Sequence, residues 1–397
     1  MQIIHAPRDA ILKPLQTVAG IIEKRHTQPI LANVLIRQQG EAVTFTGTDM
    51  EIQVRTQASI GAGSGSTATT VSAKKLIDIL RALPDTDVTI ELNGNKLNLK
   101  TTRSRFALQT LPSEDFPVMK AGATDSAGPG SGSAGDGSTA DLRADVTLSQ
   151  KKLRHLLQMV HFAMAQQDIR FYLNGLLLVL SPAGMRAVAT EGHRLAFCED
   201  VEIHAAGQAD AILPRKSVLE LLRLLGDSDE PVRMEIIGTQ VRLRFGDIEF
   251  ISKLLEGKFP DYQRVIPKGY QKVIELERET LAQALQRASI LSNEKFRGVR
   301  LGLAPGRLGI QSSNTEQEEA SEEIDIDYGG APLDIGFNVS YLLDVLGTLK
   351  TDRVTMAFGD ATSSALLTLP GDESFRYVLM PMRIGGPDPP ARLRGSP

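Results

Sequence analysis

Hydrophobic residues recur at helical spacing in three similar stretches of the chain. The stretches are AKKLIDILRAL (73–83), RKSVLELLRLL (215–225) and VSYLLDVLGTL (339–349). In each of them the apolar positions fall on one side of a helix of about three turns, and the polar residues fill the other side. The pattern therefore predicts three amphipathic helices of one type.

A second helical pattern precedes each of these stretches. It reads DAILKPLQTV from Asp9, KKLRHLLQMV from Lys151 and ETLAQALQRA from Glu279. The intervals between the copies of this helix agree, within a few residues, with the intervals between the copies of the other. Matched order and spacing predict an α+β fold of three repeated domains, each with two helices on one side of antiparallel strands.

Short segments of strand character follow the helices. DVTIELNGNKLNLKT (87–101) contains the pair Asn93-Gly94, which predicts a tight hairpin. The Gly/Ser-rich stretches GAGSGSTATT (61–70) and 121–140 predict a loop and a linker. The expected division is 1–120 (first domain), 121–140 (linker), 141–267 (second domain), 268–384 (third domain) and 385–397 (disordered tail).

Composition places the chain among ordinary globular proteins. Of its 397 residues, 42% are hydrophobic and 23% are charged, and the net charge is −4. A single cysteine, Cys198, excludes an internal disulfide framework, and no apolar run is long enough to span a membrane. Without a recognisable signal peptide, the expected location is the cytoplasm.

Charge is distributed unevenly between the helices and the rest of the chain. The helical segments 8–25, 74–83, 149–160, 215–225, 277–289 and 338–350 together hold sixteen Lys/Arg and seven Asp/Glu, although the whole chain is acidic. Solvated lysines on helices are the ordinary explanation. A repeated basic face without a base-reading motif also suits sequence-independent contact with phosphates.

Two strand-like segments carry opposite charges. TTRSRFALQT (101–110) places Arg103 and Arg105 beside Phe106 and Leu108, whereas SNTEQEEASEEIDI (313–326) is rich in glutamate. An acidic run is usually a solvated loop. The two segments would alternatively suit head-to-tail pairing between subunits, which closes into a ring when the rotation allows.

Candidate catalytic chemistry is sparse. Glu191 and His193 could form an acid–base pair, but no further His, nucleophile or acid stands at a spacing that completes a catalytic set. A packed or hydrogen-bonded imidazole is the preferred interpretation. Cys198 follows apolar residues and is expected to be buried, and no cluster has metal-ligand spacing.

Near its end the chain reads FRYVLMPMRIGG (375–386), a strand followed by two methionines. A last core strand would explain it. An exposed apolar surface would explain it equally well.

Several segments resemble the bacterial sliding clamps, the β subunits of DNA polymerase III. The resemblance rests on GTDMEI (47–52), RSRFALQTLPSEDFP (103–117), QDIRFYLNG (167–175), VATEGHRLA (188–196), PRKSVLELLR (214–223), GKFPDYQRVIP (257–267), ILSNEKFRGVRL (290–301), IGFNVSYLLDVL (335–346) and YVLMPMR (377–383). They cover nearly the whole chain in order. The resemblance implies a head-to-tail homodimer forming a closed ring, in which helices line a hole around duplex DNA.

The resemblance also implies three sets of site residues. The DNA contacts would be Arg25, Lys74, Gln167, Phe171 and Tyr172, to which the basic helix pattern adds Arg215 and Lys216. A groove for partner peptides would comprise Leu173, Thr190, Gly192, His193, Arg194, Leu195, Pro260, Arg264, Val265, Ser364, Val378, Met380, Pro381, Met382 and Arg383. The dimer interface would place Lys74, Arg103, Arg105, Phe106 and Leu108 against Ile290, Leu291, Glu316, Glu318 and Glu319.

The expected function is that of a processivity factor which tethers the replicative polymerase to DNA and has no reaction of its own. Expected partners are double-stranded DNA, a second copy of the chain, the polymerase III α subunit, the clamp loader δ subunit and other proteins with a clamp-binding motif. No cofactor, metal or membrane is expected. The alternatives are a monomeric DNA-binding module and a hydrolase-type enzyme using Glu191 and His193.

Overall fold

The computed structural model describes residues 1–23, 28–63, 65–120 and 141–383. Arg25, the predicted linker 121–140 and the predicted tail 385–397 lie outside this part of the chain. Within it, one order of elements occurs three times: a strand, a helix, further strands, a second helix and three final strands. The three predicted copies of an α+β unit are therefore confirmed.

The first copy consists of β1 (Gln2–Pro7), α1 (Arg8–Ala19), β2 (Asn33–Gln39), β3 (Ala42–Thr48), β4 (Ile52–Ser59), β5 (Ser66–Ser72), α2 (Ala73–Ala82), β6 (Asp87–Asn93), β7 (Lys96–Lys100) and β8 (Arg105–Leu111). The second consists of β9 (Leu142–Ser149), α3 (Gln150–Val160), β10 (Gly175–Ser181), β11 (Gly184–Thr190), β12 (Arg194–Asp200), β13 (Ala206–Gly207), β14 (Ala209–Pro214), α4 (Arg215–Leu224), β15 (Pro231–Ile237), β16 (Gln240–Phe245) and β17 (Ile248–Lys253). The third consists of β18 (Lys272–Glu277), α5 (Arg278–Ser289), β19 (Gly298–Ala304), β20 (Arg307–Ser313), β21 (Glu319–Asp325), β22 (Leu333–Asn338), α6 (Val339–Thr348), β23 (Arg353–Phe358), β24 (Ala365–Leu369) and β25 (Asp372–Leu379).

The chain divides into two compact units. Unit 1 comprises Met1–His155, Leu177–Met185 and Val201–Gly257, and unit 2 comprises Leu156–Leu176, Arg186–Asp200 and the described residues from Lys258 onward. Unit 1 contains a 13-stranded sheet that joins the first two copies through antiparallel pairing of β4 with β17. In unit 2, β12, β25, β24, β23 and β18 follow one another in a sheet, and β21, β20, β19 and β22 form another.

Helix α2 shows why the periodic stretches fold as predicted. Ser72 caps its N-terminus, because the side chain accepts a hydrogen bond from the backbone N–H of Lys75. Leu76, Ile77 and Leu80 lie on one face and are buried. The apolar spacing that predicted the helix is therefore the spacing that packs it against the strands.

Two details of the sequence prediction have different outcomes. The hairpin at Asn93-Gly94 is confirmed, with Gly94 at φ +57°, in the left-handed region that favours glycine. The predicted loop 61–70 is wrong in its second half, because Ser66–Ser72 is strand β5 and pairs along its length with β2. Its threonines and valine favour an extended backbone once a partner strand is present.

Candidate peptide groove and assembly surfaces

The floor of the predicted groove is the antiparallel pair of β12 and β25 in unit 2. Leu195 lies opposite Val378, and both side chains are buried. Beyond the end of β25, the backbone N–H of Met380 donates to the carbonyl of His193 at 2.9 Å. The Met380 side chain remains 46% exposed. A fixed backbone thus presents a flexible apolar side chain to solvent, which suits a surface that accommodates different apolar groups.

A tight turn connects β11 to β12 at one end of the groove. Thr190 Oγ1 donates to the carbonyl of Arg194 at 2.6 Å and accepts from the N–H of Gly192 at 3.1 Å. Gly192 has φ +102°, so another residue would be strained there. The turn leaves the His193 side chain 72% exposed at its tip.

Arg194 occupies the most enclosed position among the charged groove residues. Its guanidinium donates to Asp344 of α6 at 2.7 Å and to the carbonyl of Phe162 at 2.8 Å. It lies 4.3 Å from the centre of the Tyr341 ring, within the range of a cation–π contact. Phe162, Tyr341 and Asp344 were not among the predicted groove residues. The helical pattern placed Tyr341 and Asp344 on a helix but gave no indication of their partner.

The remaining predicted groove residues come from several segments of unit 2. Leu173 is buried in the short 3₁₀ segment Phe171–Leu173, and Pro260 is exposed. Arg264 pairs with Asp261 at 2.9 Å, and Val265, which follows it, is exposed. The carbonyl of Ser364 accepts a hydrogen bond from Tyr270 at 2.7 Å.

Two cavities adjoin the segment Pro381–Arg383. One, of about 440 Å³, is lined by Pro381, Met382 and Arg383 together with Arg300, Asp334 and Thr362, among others. The other, of about 360 Å³, adds Asn293, Phe296 and Asn314. Phe296 is a large exposed apolar side chain that the sequence analysis did not select. Its place in the segment ILSNEKFRGVRL was the available signal.

The geometry of Glu191 and His193 does not favour the enzyme alternative. His193 Nδ1 is 3.6 Å from the Glu191 carboxylate, which is too long for a good hydrogen bond. That carboxylate instead accepts from the hydroxyl of Tyr341 at 3.2 Å and from the backbone N–H of His193 at 3.0 Å.

Burial raises the pKa of the Cys198 thiol to about 12, and nearby carboxylates reinforce the shift. The predicted burial of Cys198 is confirmed.

The two oppositely charged segments each contain a strand with an open edge. In the described part of the chain, β8 pairs with β7 over Arg105–Gln109 but meets β5 only at its last two residues. β21 is the terminal strand of its sheet and pairs with β20. Along both strands exposed and half-buried residues alternate. Each strand can therefore accept a further antiparallel partner.

The residues of the predicted dimer interface lie on or near these two edges. Phe106 and Leu108 are half-buried on β8, and Arg103 precedes the strand. Ile290, at the end of α5, is 76% exposed, and Leu291 is half-buried. The backbone N–H groups of Glu316 and Glu318 both donate to Asn314 at 3.0 Å, which fixes the start of the acidic segment. Glu319 is the first residue of β21.

The basic helix residues are less free than the sequence analysis assumed. Lys74 pairs with Asp78 at 2.7 Å. The ammonium group of Lys216 contacts both Glu23, at 2.8 Å, and Asp49. Arg215, its neighbour, is half-buried. The excess of Lys and Arg over Asp and Glu also comes from the first four helical segments, because segments 277–289 and 338–350 carry equal numbers of each.

The other predicted DNA contacts cluster in one segment of unit 2. Gln167 is exposed and has φ +57°. Phe171 is 52% exposed, and its ring meets that of Tyr172 edge-on at 5.9 Å. Between Gln167 and Phe171, hydrogen bonds from Arg170 lower the pKa of the Asp168 carboxyl to about 2. The segment is thus fixed locally, with Phe171 exposed and Tyr172 half-buried.

Comparisons with known proteins agree along nearly the whole chain. Three family profiles match in order: the DNA polymerase III beta subunit N-terminal domain over residues 1–120, the central domain over 147–261 and the C-terminal domain over 263–383. The chain is 47% identical to the beta sliding clamp of Pseudomonas putida and 41% identical to that of Escherichia coli K12, covering 95% of this chain and 98% of each relative.

Solved structures give the same result. The crystal structure of the DNA polymerase III subunit beta from Pseudomonas aeruginosa superposes with a TM-score of 0.87 at 44% identity, over 97% of this chain and 100% of that one. A sliding clamp of the same organism, bound to griselimycin, superposes with a TM-score of 0.87 over 96% of this chain.

The relatives define a class of non-catalytic processivity subunits. The chain belongs to the DNA polymerase III beta subunit family, the beta sliding clamps.

Among the described residues, none of the helices combines the length and apolar character needed to cross a lipid bilayer. No group of His, Cys, Asp and Glu side chains in that part of the chain is placed to hold a metal ion.

Proposed function

We propose that two copies of this chain pair head to tail into a ring that encircles duplex DNA and tethers the replicative polymerase. The open edges of β8 and β21 carry this proposal. One follows Arg103 and begins at Arg105, and the other follows Glu316 and Glu318, so a contact between the two strands joins opposite charges. Two identical heterologous contacts close the pair.

The apolar residues of this interface supply most of its stability. Ile290 and Leu291 of one subunit would be buried against Phe106 and Leu108 of the other, while the charges set the register and reject wrong pairings. Lys74 belongs to both the predicted interface and the predicted DNA contacts. Its pairing with Asp78 within one helix makes it a minor contributor to either.

DNA contact in this proposal is sequence-independent and shared among many weak contacts. Gln167, Phe171, Tyr172 and Arg215 would lie near the phosphate backbone together with Arg25, which is outside the described residues. Lys216 is the weakest member of the set, because Glu23 and Asp49 already hold its charge. Weak phosphate contacts exchange readily and allow sliding.

The groove would bind short motifs of the polymerase α subunit, the clamp loader δ subunit and other partners. The exposed Met380 over a floor of Leu195 and Val378 supports this assignment. The bound griselimycin in a relative shows that such a clamp accepts a ligand. The proposed domain bounds remain 1–120, 141–267 and 268–384, and the proposed location is the cytoplasm.

The test combines sizing with retention on DNA. A subunit of 43.0 kDa should sediment as a dimer, and after loading it should remain on circular DNA but leave linear DNA through the free ends. The variant Ile290→Asp should sediment as a monomer and lose retention on the circle. Equal retention on both forms of DNA would contradict encirclement.

Charge exchange tests the pairing of the strands. Arg103→Glu with Arg105→Glu should weaken the dimer, as should Glu316→Lys with Glu318→Lys. Mixing the two variants should restore both interfaces in a heterodimer, because one contact then joins the reversed charges and the other keeps the parent charges, so opposite charges face each other in each. If the mixture associates no better than the separate variants, the assigned strand pairing is wrong.

A further inference from the structure

The strand pair beneath the groove has an internal counterpart in unit 1. The interval from Gln16 to Gln158, which relates the first copy to the second, also carries Ile52 to Arg194. Strand β4, which begins at Ile52, is therefore the counterpart of β12. Each is paired antiparallel with the last strand of the following copy, β17 and β25 respectively.

The turns that lead into these strands are built alike. Thr48 Oγ1 donates to the carbonyl of Ile52 at 2.9 Å and accepts from the N–H of Met50 at 3.0 Å, as Thr190 does in the groove turn. Met50 has φ +74°, and the equivalent Gly192 also has a positive φ. The backbone framework of the groove is therefore present a second time.

The chain leaves both strand pairs in the same way. The N–H of Lys253 donates to the carbonyl of Glu51 at 2.9 Å, just as Met380 donates to His193. The side chains differ in chemistry, because a cation replaces the exposed methionine. A ligand bound along the β4–β17 strand pair is therefore expected to differ in chemistry from a ligand of the groove.

A cavity of about 800 Å³ lies along the seam of β4 and β17 in unit 1. We call it the connector basin; its lining includes Leu35, Arg37, Arg55, Val118, Lys120 and Arg242. The segment 118–120 borders it and is held in place by Gln53, whose amide donates to the carbonyl of Met119 at 3.2 Å and accepts from its N–H at 2.8 Å. The border of the basin is thus fixed to the sheet.

The connector basin carries an excess of positive charge. Arg55 pairs with Glu249 at 3.1 Å, and Arg242 pairs with the buried Glu235 at 2.7 Å. Within the described residues, Arg37 and Lys120 form no ion pair, and both are exposed. Two cations therefore remain available to an anionic ligand.

We propose that the connector basin binds a short, extended acidic peptide. The free cations of Arg37 and Lys120 would hold its carboxylates, and Val118, which is 41% exposed, would contact its apolar side chains. The threonine and glutamine side chains of the lining supply hydrogen bonds to a peptide backbone. None of the described residues that line the basin is aromatic, so they offer no ring for the stacking that holds single-stranded nucleic acid.

The experiment uses the full chain with isotope-labelled methyl groups and the probe peptide acetyl-Glu-Leu-Glu-Leu-Glu-amide. The peptide should shift the NMR signals of Leu35, Met119 and Ile251, and the shifts should weaken as salt is added. In the variant Arg37→Glu with Lys120→Glu, the apparent affinity should fall about tenfold or more, because two attractive charges become repulsive. Lys96→Glu, which alters an exposed lysine of the same unit, should bind like the parent chain.

Other probes distinguish the alternatives. The peptide acetyl-Lys-Leu-Lys-Leu-Lys-amide should leave the three signals unchanged, and an oligothymidine of ten nucleotides should perturb them less than the acidic peptide does. The proposal is overturned if the basin methyls do not respond, if the response survives the double charge reversal in a variant with the parent melting temperature, or if the oligonucleotide binds better.

Discussion

The Arg194 guanidinium donates to the Asp344 carboxylate across 2.7 Å, joining strand β12 to helix α6. Only 10% of the Arg194 side chain is exposed, whereas Asp344 is open to solvent on one side. The pair therefore compensates a charge that the fold has largely removed from water. Because Arg194 also belongs to the proposed groove, the same contact would fix the position of one of its walls.

Replacing Asp344 tests this relationship. Asp344→Asn leaves the enclosed guanidinium without its anion, so we expect the free energy of unfolding, measured by urea denaturation, to fall by about 1–3 kcal/mol. The control is Asp327→Asn, which alters an exposed carboxylate with no partner among the described residues and should leave the urea midpoint unchanged. If both substitutions lowered the free energy of unfolding equally, the Arg194–Asp344 pair would not be a specific stabilising contact.

Met380 is predicted to contribute to ligand binding rather than to stability. Because its side chain is partly exposed, Met380→Ala should change the melting temperature little. It should weaken the binding of a clamp-binding-motif peptide to the proposed groove about tenfold, as expected for the loss of roughly 1.5 kcal/mol of apolar contact. Titration calorimetry measures the affinity, and Val273→Ala, at an exposed apolar residue on β18, serves as the matched control. A similar loss in the control would indicate a non-specific effect.

Two glycines give a matched pair for a test of close packing in unit 1. A Cβ on Gly20, just after α1, would lie 2.5 Å from a carboxylate oxygen of Glu220 and 2.7 Å from Arg223 Nε. Arg223 also donates to the carbonyl of Thr17 at 2.5 Å, so the Glu220–Arg223 pair closes the end of α1. Gly20→Ala must displace this pair and should lower the melting temperature by several degrees.

The second glycine provides the opposite expectation. Gly347 lies inside α6, and a Cβ there would meet nothing within 4 Å. Gly347→Ala should raise the free energy of unfolding by up to about 1 kcal/mol, because alanine is more favourable than glycine in a helix interior. Differential scanning calorimetry of both variants measures the contrast. A harmless Gly20→Ala would mean that Glu220 and Arg223 can move aside freely.

The Cys198 thiol is predicted to be inert in the folded protein. With a pKa raised to about 12, the thiolate fraction at pH 8 is about one in ten thousand, and the side chain is also buried on β12. Iodoacetamide at pH 8 should therefore leave the native protein unmodified and alkylate it fully in urea. Mass spectrometry of the intact chain counts the added groups. Rapid native labelling would show that β12 opens locally.

The helices were predictable because their information is local. In α2 the same leucines and isoleucines that set the apolar period are those that pack inward, and Ser72 supplies the cap from the adjacent position. Strand β5 was missed because glycine and serine dominate the local pattern of 61–70, whereas the strand forms through its distant partner β2. The free basic face was overestimated for a related reason, since the carboxylates that hold Lys216 come from Glu23 and Asp49, far away in sequence.

The sequence by itself determined three copies of a unit and the helices in each copy. Its periodicity and internal repetition are sufficient for that, because both are properties of neighbouring or regularly spaced residues. Only the tertiary structure decided which charges are paired, that β8 and β21 keep open edges, and that the β4–β17 seam repeats the framework of the groove with different side chains. These features depend on contacts between residues distant along the chain, and no local pattern encodes the distance between them.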